Sequence, residues 1–129
     1  YETWCEDMFR RYDSDLGEWS QILRQDGVIV AQIICSDMDD GYAVSTISVG
    51  QNYRRKGIAT RMLGSFAKWL SSQKELKHTI VYLEVDEDNS PAKELYTKIG
   101  FKKDIFGDWE MSTQDYISFF EKNLKKSTK

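Results

Sequence analysis

A mixed α/β fold around one central sheet is the class this sequence predicts, and three observations predict it. Strand-like and helix-like runs follow one another in the order strand, strand, strand, helix, strand, helix, strand. The strand–helix–strand unit in the middle should be a right-handed crossover joining parallel strands. A chain of 129 residues with 40% hydrophobic content can bury one core and hardly two, so a single domain over residues 1–129 is expected. Because the first residue is Tyr1 and not methionine, the expectation includes an N-terminus that was trimmed or belongs to something longer.

Periodicity places each element. Residues 4–12, WCEDMFRRY, mix apolar and charged positions at roughly helical spacing, which predicts a short helix that DSDLGEW then breaks. In SQILRQDGVIVAQIICSD the Asp26-Gly27 pair stands between two strand-like runs, the short-range signal of a hairpin. The polar turn DMDDG leads to YAVSTISV, an alternating run rich in β-branched residues and hence a third strand, near 42–50. Ile58, Met62, Leu63, Phe66, Ala67 and Leu70 then recur at spacings of three and four, one apolar face of a helix with Gly64 inside it. A glycine there costs about 1 kcal/mol against alanine unless close backbone packing repays it.

HTIVYLEVD alternates Val81, Leu83 and Val85 against Tyr82, Glu84 and Asp86, a fourth strand near 79–86 with two unlike faces. In NSPAKELYTKIGF a cap at Asn89 or Ser90, Pro91 in the first turn and Gly100 past the end bracket a short helix. FKKDIFGDWEMS reads as one or two short strands, and the chain closes as a helix near 113–126 with Asp115 three residues after Ser112.

Composition excludes several function classes. No apolar run approaches the ~18 residues of a membrane span, and no basic-then-apolar leader opens the chain, so a cytoplasmic protein without membrane contact is expected. Cys5 and Cys35 form no CxxC pair and His78 is the single histidine, which argues against a metal site or a disulfide framework. With 18 basic against 21 acidic residues, net −3, nucleic-acid binding has no global electrostatic support.

The segment TISVGQNYRRKGIATRMLGSFAKWL carries the first chemical signal. A strand runs into a basic, glycine-containing turn where a helix begins, at the C-terminal end of a strand where α/β folds hold ligands. Free N–H groups at a helix start, the positive end of its dipole and a glycine that lets an anion approach make a phosphate site. Neither GxxxxGK[ST] nor GxGxxG is present, which disfavours a P-loop and a dinucleotide fold. The turn Arg54-Arg55-Lys56-Gly57-Ile58-Ala59 has the form [Q/R]xxGx[G/A], and here the sequence resembles the GNAT superfamily of N-acetyltransferases. LEVDEDNSPAKELYTKIGF resembles the family's downstream segment, with Leu83, Val85, Asn89, Ala92, Tyr96, Gly100 and Phe101 in register. The resemblance covers roughly residues 20–103.

That resemblance implies a mixed sheet splayed between the strands near 42–50 and 79–86, with acetyl-CoA in the gap. It implies backbone pairing of the pantetheine near Ile47 and Val49. The pyrophosphate would sit on the turn formed by Arg54, Arg55, Lys56, Gly57, Ile58, Ala59 and Thr60, and Asn89 would contact the pantetheine arm. Tyr96 matches the family's tyrosine that protonates the departing CoA sulfur and also lines the cofactor; the alternative is a tyrosine whose ring packs on the sheet. Glu84, twelve residues before it, resembles the glutamate of a glutamate–tyrosine pair in ribosomal-protein N-terminal acetyltransferases, and is the expected general base, directly or through water. A solvated or structurally paired carboxylate is its alternative. Asp86 and His78 share Glu84's strand parity, His78 being read as a surface residue.

The departures from the family pattern are equally specific. About twenty residues precede the first recognised strand, too few for the usual first strand plus two helices. Ala31 replaces a glycine expected at the hairpin tip, and the usual acidic residue near the start of the strand at 42–50 is replaced by Tyr42 and Ala43. After Phe101, where two more strands are usual, the apolar pattern turns helical, with a stripe of Tyr116, Ile117, Phe120 and Leu124 that is core or a homodimer interface.

The expected function is acetyl-CoA-dependent transfer of an acetyl group to a primary amine of a small molecule or peptide N-terminus. A non-catalytic acyl-CoA-binding module is the alternative. The acidic turn Asp37, Asp39, Asp40 and the aromatics Trp4, Phe9, Tyr12 and Trp19 are secondary candidates for acceptor contact, against solvated-turn and core readings.

Overall fold

The computed structural model describes residues 6–54 and 57–127. Its elements are β1 (Glu6–Asp13), β2 (Glu18–Gln25), β3 (Val28–Asp37), β4 (Tyr42–Val49), a 3-10 turn at Gln51–Tyr53, α1 (Ile58–Ser71), β5 (Ile80–Leu83), α2 (Ser90–Ile99), β6 (Lys102–Lys103), β7 (Trp109–Ser112) and α3 (Thr113–Ser127). The strands form one sheet in the order β1-β2-β3-β4-β5-β7-β6, antiparallel throughout except for the parallel β4–β5 pair.

The expected meander is present, and its first hairpin turns on Asp26 (φ 53°) and Gly27 (φ 83°), the two positive values that a two-residue turn between twisted strands requires. Ala31 lies inside β3, opposite Leu23, and not at that tip. The helix expected at 4–12 is instead strand β1. Eight consecutive residues pair with β2, and the Tyr12 ring packs at a tilt against Trp69 of α1 at 5.0 Å, so the ladder and the aromatic contact override an ambiguous period. Trp4 and Cys5 lie outside the described residues. A first strand is therefore present, but it joins β2 through a short turn without intervening helices. The region after Phe101 holds both the two short strands of the family pattern and the closing helix.

Burial alternates along the strands and selects one face. Trp19, Gln21 and Leu23 of β2, Ala31, Ile33 and Cys35 of β3, Tyr42 and Val44 of β4, and Val81 and Leu83 of β5 are buried on it. All three described helices cover that face. Phe66 of α1 lies 5.2 Å from Trp19 and 6.1 Å from Tyr42. Tyr116 of α3 reaches 6.1 Å from Phe66, and its hydroxyl donates to the Leu63 carbonyl at 2.5 Å. Tyr96 of α2 joins the same cluster through Phe101, which lies 5.8 Å from it and 6.0 Å from Tyr116. The opposite face, with Ser20, Ile22, Ile34, Ser36, Ala43 and Tyr82 half-buried between neighbouring strands, carries none of the described helices.

One strand, β5, is shorter than expected, and its neighbours explain why. Pairing of β3 with β4 slips between Ile34 and Cys35, so that Ser45 bulges out of the ladder. Beyond it β4 diverges from β5, whose last paired residue is Leu83, opposite Val44. Residues 84–86 thus lack a strand partner, and the strand expected at 79–86 contracts to Ile80–Leu83.

Three of the four residues in the apolar stripe of the closing helix, Tyr116, Ile117 and Phe120, pack within the chain, and the side chain of Leu124 lies outside the described part of the molecule. Tyr116 and Ile117 are buried, and a Cβ on Gly64 would stand 3.2 Å from the Phe120 ring, which explains the glycine inside α1 as a close helix–helix approach. Ser112 accepts the Asp115 N–H at 3.0 Å and caps α3.

Candidate active site

The divergence of β4 from β5 opens a slot through the sheet. Val44 to Ile47 form one wall and Leu83 to Asp86 the other, with Asn89, Ala92 and Tyr96 of the α2 region closing it, a volume of about 310 Å³. A second groove of about 610 Å³ runs from there along Ile47 to Val49, past Tyr53 and Arg54 to the start of α1 at Gly57 to Thr60. The two share Ile47, Asn89, Ala92 and Tyr96, so they form one channel.

At its far end α1 begins on Gly57, in the left-handed region (φ 78°, ψ 9°) and with no side-chain cap. A Cβ there would meet nothing within 4 Å. The first-turn N–H groups are therefore presented to the groove, with the positive end of the helix dipole behind them. Arg54 also lines the groove, its Nε donating to the Val49 carbonyl at 3.1 Å. Arg55 and Lys56 lie outside the described residues.

Asn89 serves two ends. Its Oδ1 accepts the Ala92 N–H at 3.2 Å and caps α2, which leaves its amide NH₂ at the junction of slot and groove. Tyr96 is buried at the same junction, its ring edge against Phe101, and burial raises its phenol above the ordinary value of 10.0. Glu84 is exposed one residue beyond the end of β5, with Asp86 on the same wall. Glu84 follows the last residue of β5 and lines the slot, while Tyr96 reaches it from α2 on the helix side. The slot is thus lined by an exposed carboxylate and a buried phenol.

The structure brings together Ile47, Val49, Arg54, Gly57, Ile58, Ala59, Thr60, Asn89 and Tyr96 along one channel and Glu84 at its slot. Tyr53, Pro91 and Leu95 line the groove without having been singled out. The i, i+4 spacing of Pro91 and Leu95 on α2 was the available signal.

His78 is not a surface residue. Its Nε2 pairs with Asp37, and its ring edge rests on Tyr42 at 5.0 Å. Lys77 Nζ also reaches Asp37, at 3.0 Å, and its backbone N–H donates to the Tyr42 hydroxyl at 2.9 Å. Asp40 accepts from the Tyr82 hydroxyl at 3.0 Å. Two carboxylates of the acidic turn are therefore engaged in binding β3 and β4 to β5 and its lead-in. Trp19 belongs to the core, and the side chain of Phe9 lies outside the described part of the molecule.

A model of the acetyltransferase (GNAT) family matches residues 1–101. The chain belongs to that family. Within it, the chain is 46% identical over 63 residues to an N-alpha-acetyltransferase of Saccharolobus solfataricus, a match covering 49% of this chain and 36% of the relative. The matched part is thus about a third of that relative's length. The GNAT architecture recurs in the ribosomal-protein-S18-alanine N-acetyltransferase of Escherichia coli, with a TM-score of 0.67, 17% identity and coverage of 84% of this chain and 94% of that one. It recurs also in the PaiA N-acetyltransferase of Thermoplasma acidophilum, solved in complex with coenzyme A, with a TM-score of 0.63, 21% identity and coverage of 77% and 62%. Among the described residues no helix is long and apolar enough to cross a membrane, and no cluster of metal-ligating side chains occurs.

Proposed function

We propose that the channel binds acetyl-CoA and transfers its acetyl group to the α-amine of a peptide or protein N-terminus. The observation that carries this reading is the continuity of an uncapped helix start with a slot flanked by Tyr96 and Glu84. An anionic pyrophosphate suits the N–H groups of Ile58 to Thr60 and the Arg54 side chain, and Arg55 and Lys56 are assigned there from the sequence motif alone. The Asn89 NH₂ is a donor for a carbonyl of the pantetheine arm, and Ile47 and Val49 offer backbone groups where β4 has lost its neighbour. The relatives named above favour an N-terminal amine over other acceptors.

Transfer requires the neutral amine nitrogen to attack the thioester carbonyl carbon, forming a C–N bond as the C–S bond breaks. Glu84 receives the proton that the amine nitrogen loses, directly or through water, and the Tyr96 hydroxyl gives its proton to the departing sulfur. The products are an N-acetyl amide and CoA thiol, after which the Tyr96 and Glu84 proton states are restored through solvent. Calorimetric titration of acetyl-CoA, followed by thiol release with N-terminal peptides, tests the whole reading. Micromolar binding with peptide-dependent release is expected; binding without release would turn the assignment to a non-catalytic acyl-CoA-binding module, and absence of binding would overturn it.

A further inference from the structure

Resting on the transferase reading, we infer that Glu87 is a positioning residue: clasped by Lys93 and Lys103, it holds in place the slot wall that carries Glu84. That wall needs a hold from elsewhere. The ladder between β4 and β5 ends at Leu83, so residues 84–86 have no neighbouring strand, and the chain passes from there through Glu87 to the cap of α2 at Asn89. Within this segment the Asn89 N–H donates to the Asp86 carbonyl at 3.0 Å, which closes a tight turn with Glu87 at its crest. Such a bond fixes the shape of the turn but not its place against the sheet.

Glu87 supplies the place. Its Oε1 accepts from Lys93 Nζ of α2 at 3.2 Å and its Oε2 from Lys103 Nζ of β6 at 2.9 Å, while the same Lys93 ammonium donates to the Glu87 main-chain carbonyl. Lys103 stands opposite Trp109 of β7, and Trp109 opposite Leu83, the residue at which the wall leaves the sheet. The clasp therefore ties the turn across β7 to the last strand of the sheet, on the flank away from β4. Anchorage that β4 no longer gives comes from the other side. An isolated exposed ion pair contributes little. Here one carboxylate takes two ammonium groups, and one of those also binds its main chain, so three bonds converge on a single residue of the turn. Hydrogen bonds from Lys103 and then Lys93 hold the Glu87 carboxyl below its ordinary 4.5, so it is ionised at neutral pH. The Asn89 cap on α2 is made without the clasp, so loss of Glu87 spares that donor and disturbs the aim of Glu84. Misplacing a reacting group by about 1 Å costs up to about 100-fold in rate.

The test reads kcat by thiol release at saturating acetyl-CoA with a Ser-Gly-Ser-Gly amide as acceptor, together with the urea midpoint of each variant. Glu87→Gln is expected to lower kcat by about fivefold, with the acetyl-CoA Kd within about twofold and the urea midpoint unchanged. Lys103 lines neither the slot nor the groove, yet Lys103→Gln is expected to lower kcat by about threefold and to add nothing in the Glu87→Gln background. Raising NaCl from about 0.05 to about 0.5 M should bring wild-type kcat down towards that of Glu87→Gln, whose own kcat stays level, because an exposed clasp is screened. Wild-type kcat in Glu87→Gln, losses that multiply in the double variant, or a loss matched by a lowered urea midpoint would each overturn the inference while leaving the transferase intact. A wild-type protein that binds acetyl-CoA and releases no thiol would overturn the transferase reading and this one with it.

Discussion

Burial holds the Tyr96 phenol above its ordinary 10.0, so at neutral pH it carries the proton that a departing thiolate needs. Tyr96→Phe keeps the ring against Phe101 and removes only that proton. Turnover in the thiol-release assay should fall by about 10²-fold or more while the acetyl-CoA Kd stays within about twofold, and wild-type turnover would remove Tyr96 from the acid role. Gly57 and a cap at Asn89 or Ser90 were legible from local spacing, a glycine at a helix start and a polar residue just before a proline, whereas Tyr96 stood out only through the resemblance to the family. His78 was not legible. Its partner Asp37 is 41 residues away and becomes its neighbour only when β4 and β5 pair. Tyr53 escaped notice for a related reason: its place on the groove wall depends on the 3-10 turn that carries the chain from β4 to α1.

Helices announce their ends through caps and glycines, and α1, α2 and α3 all stand where the sequence put them. Strands announce only a period, and a neighbour decides how much of it is used. The bulge at Ser45, a property of the β3–β4 pair, leaves residues 84–86 without a partner, and an amphipathic run became β1 because β2 offered it a ladder. Contact between α1 and α3 gives the test at this scale. Gly64→Leu must push a side chain against the Phe120 ring, and overpacking of this kind costs about 1–3 kcal/mol, more than the roughly 1 kcal/mol that a better helix former returns. A lowered urea midpoint with an unchanged slope is expected; a raised midpoint would mean that α3 yields freely.

At the scale of the molecule, the three-strand meander and the parallel pairing across the central helix were legible, whereas β1, the place of β7 between β5 and β6, and the one-sided layering were not. A strand face with serines and half-buried isoleucines reads the same whether a helix covers it or water does. The contacts around Asp37 fasten β3 and β4 to the lead-in of β5 and make the fold acid-sensitive. Burial alone would push the Asp37 carboxyl up, but hydrogen bonds from His78 and Lys77 outweigh it and hold the group below its ordinary 3.8. A depressed carboxyl contributes stability above the unfolded value, and that contribution fades as pH falls through the folded one. Asp37→Asn should therefore lower stability at pH 7 by about 1–2 kcal/mol and flatten the acid limb below pH 3.8, seen in urea melts across pH. An unaltered acid limb would show that the contact carries no linkage. The seam between the two parts of the sheet has a further mechanical meaning. It consists of three residue pairs with the Asp37 contacts at one end and the slot at the other. From Ser45 to Val49 β4 extends about 16 Å beyond that fulcrum as a lever, so a rotation of about 5° at the seam moves its tip by about 1.4 Å. A molecule that paired with the backbone of both walls would replace missing rungs of the ladder, and its occupancy would then be converted into stiffness across the seam.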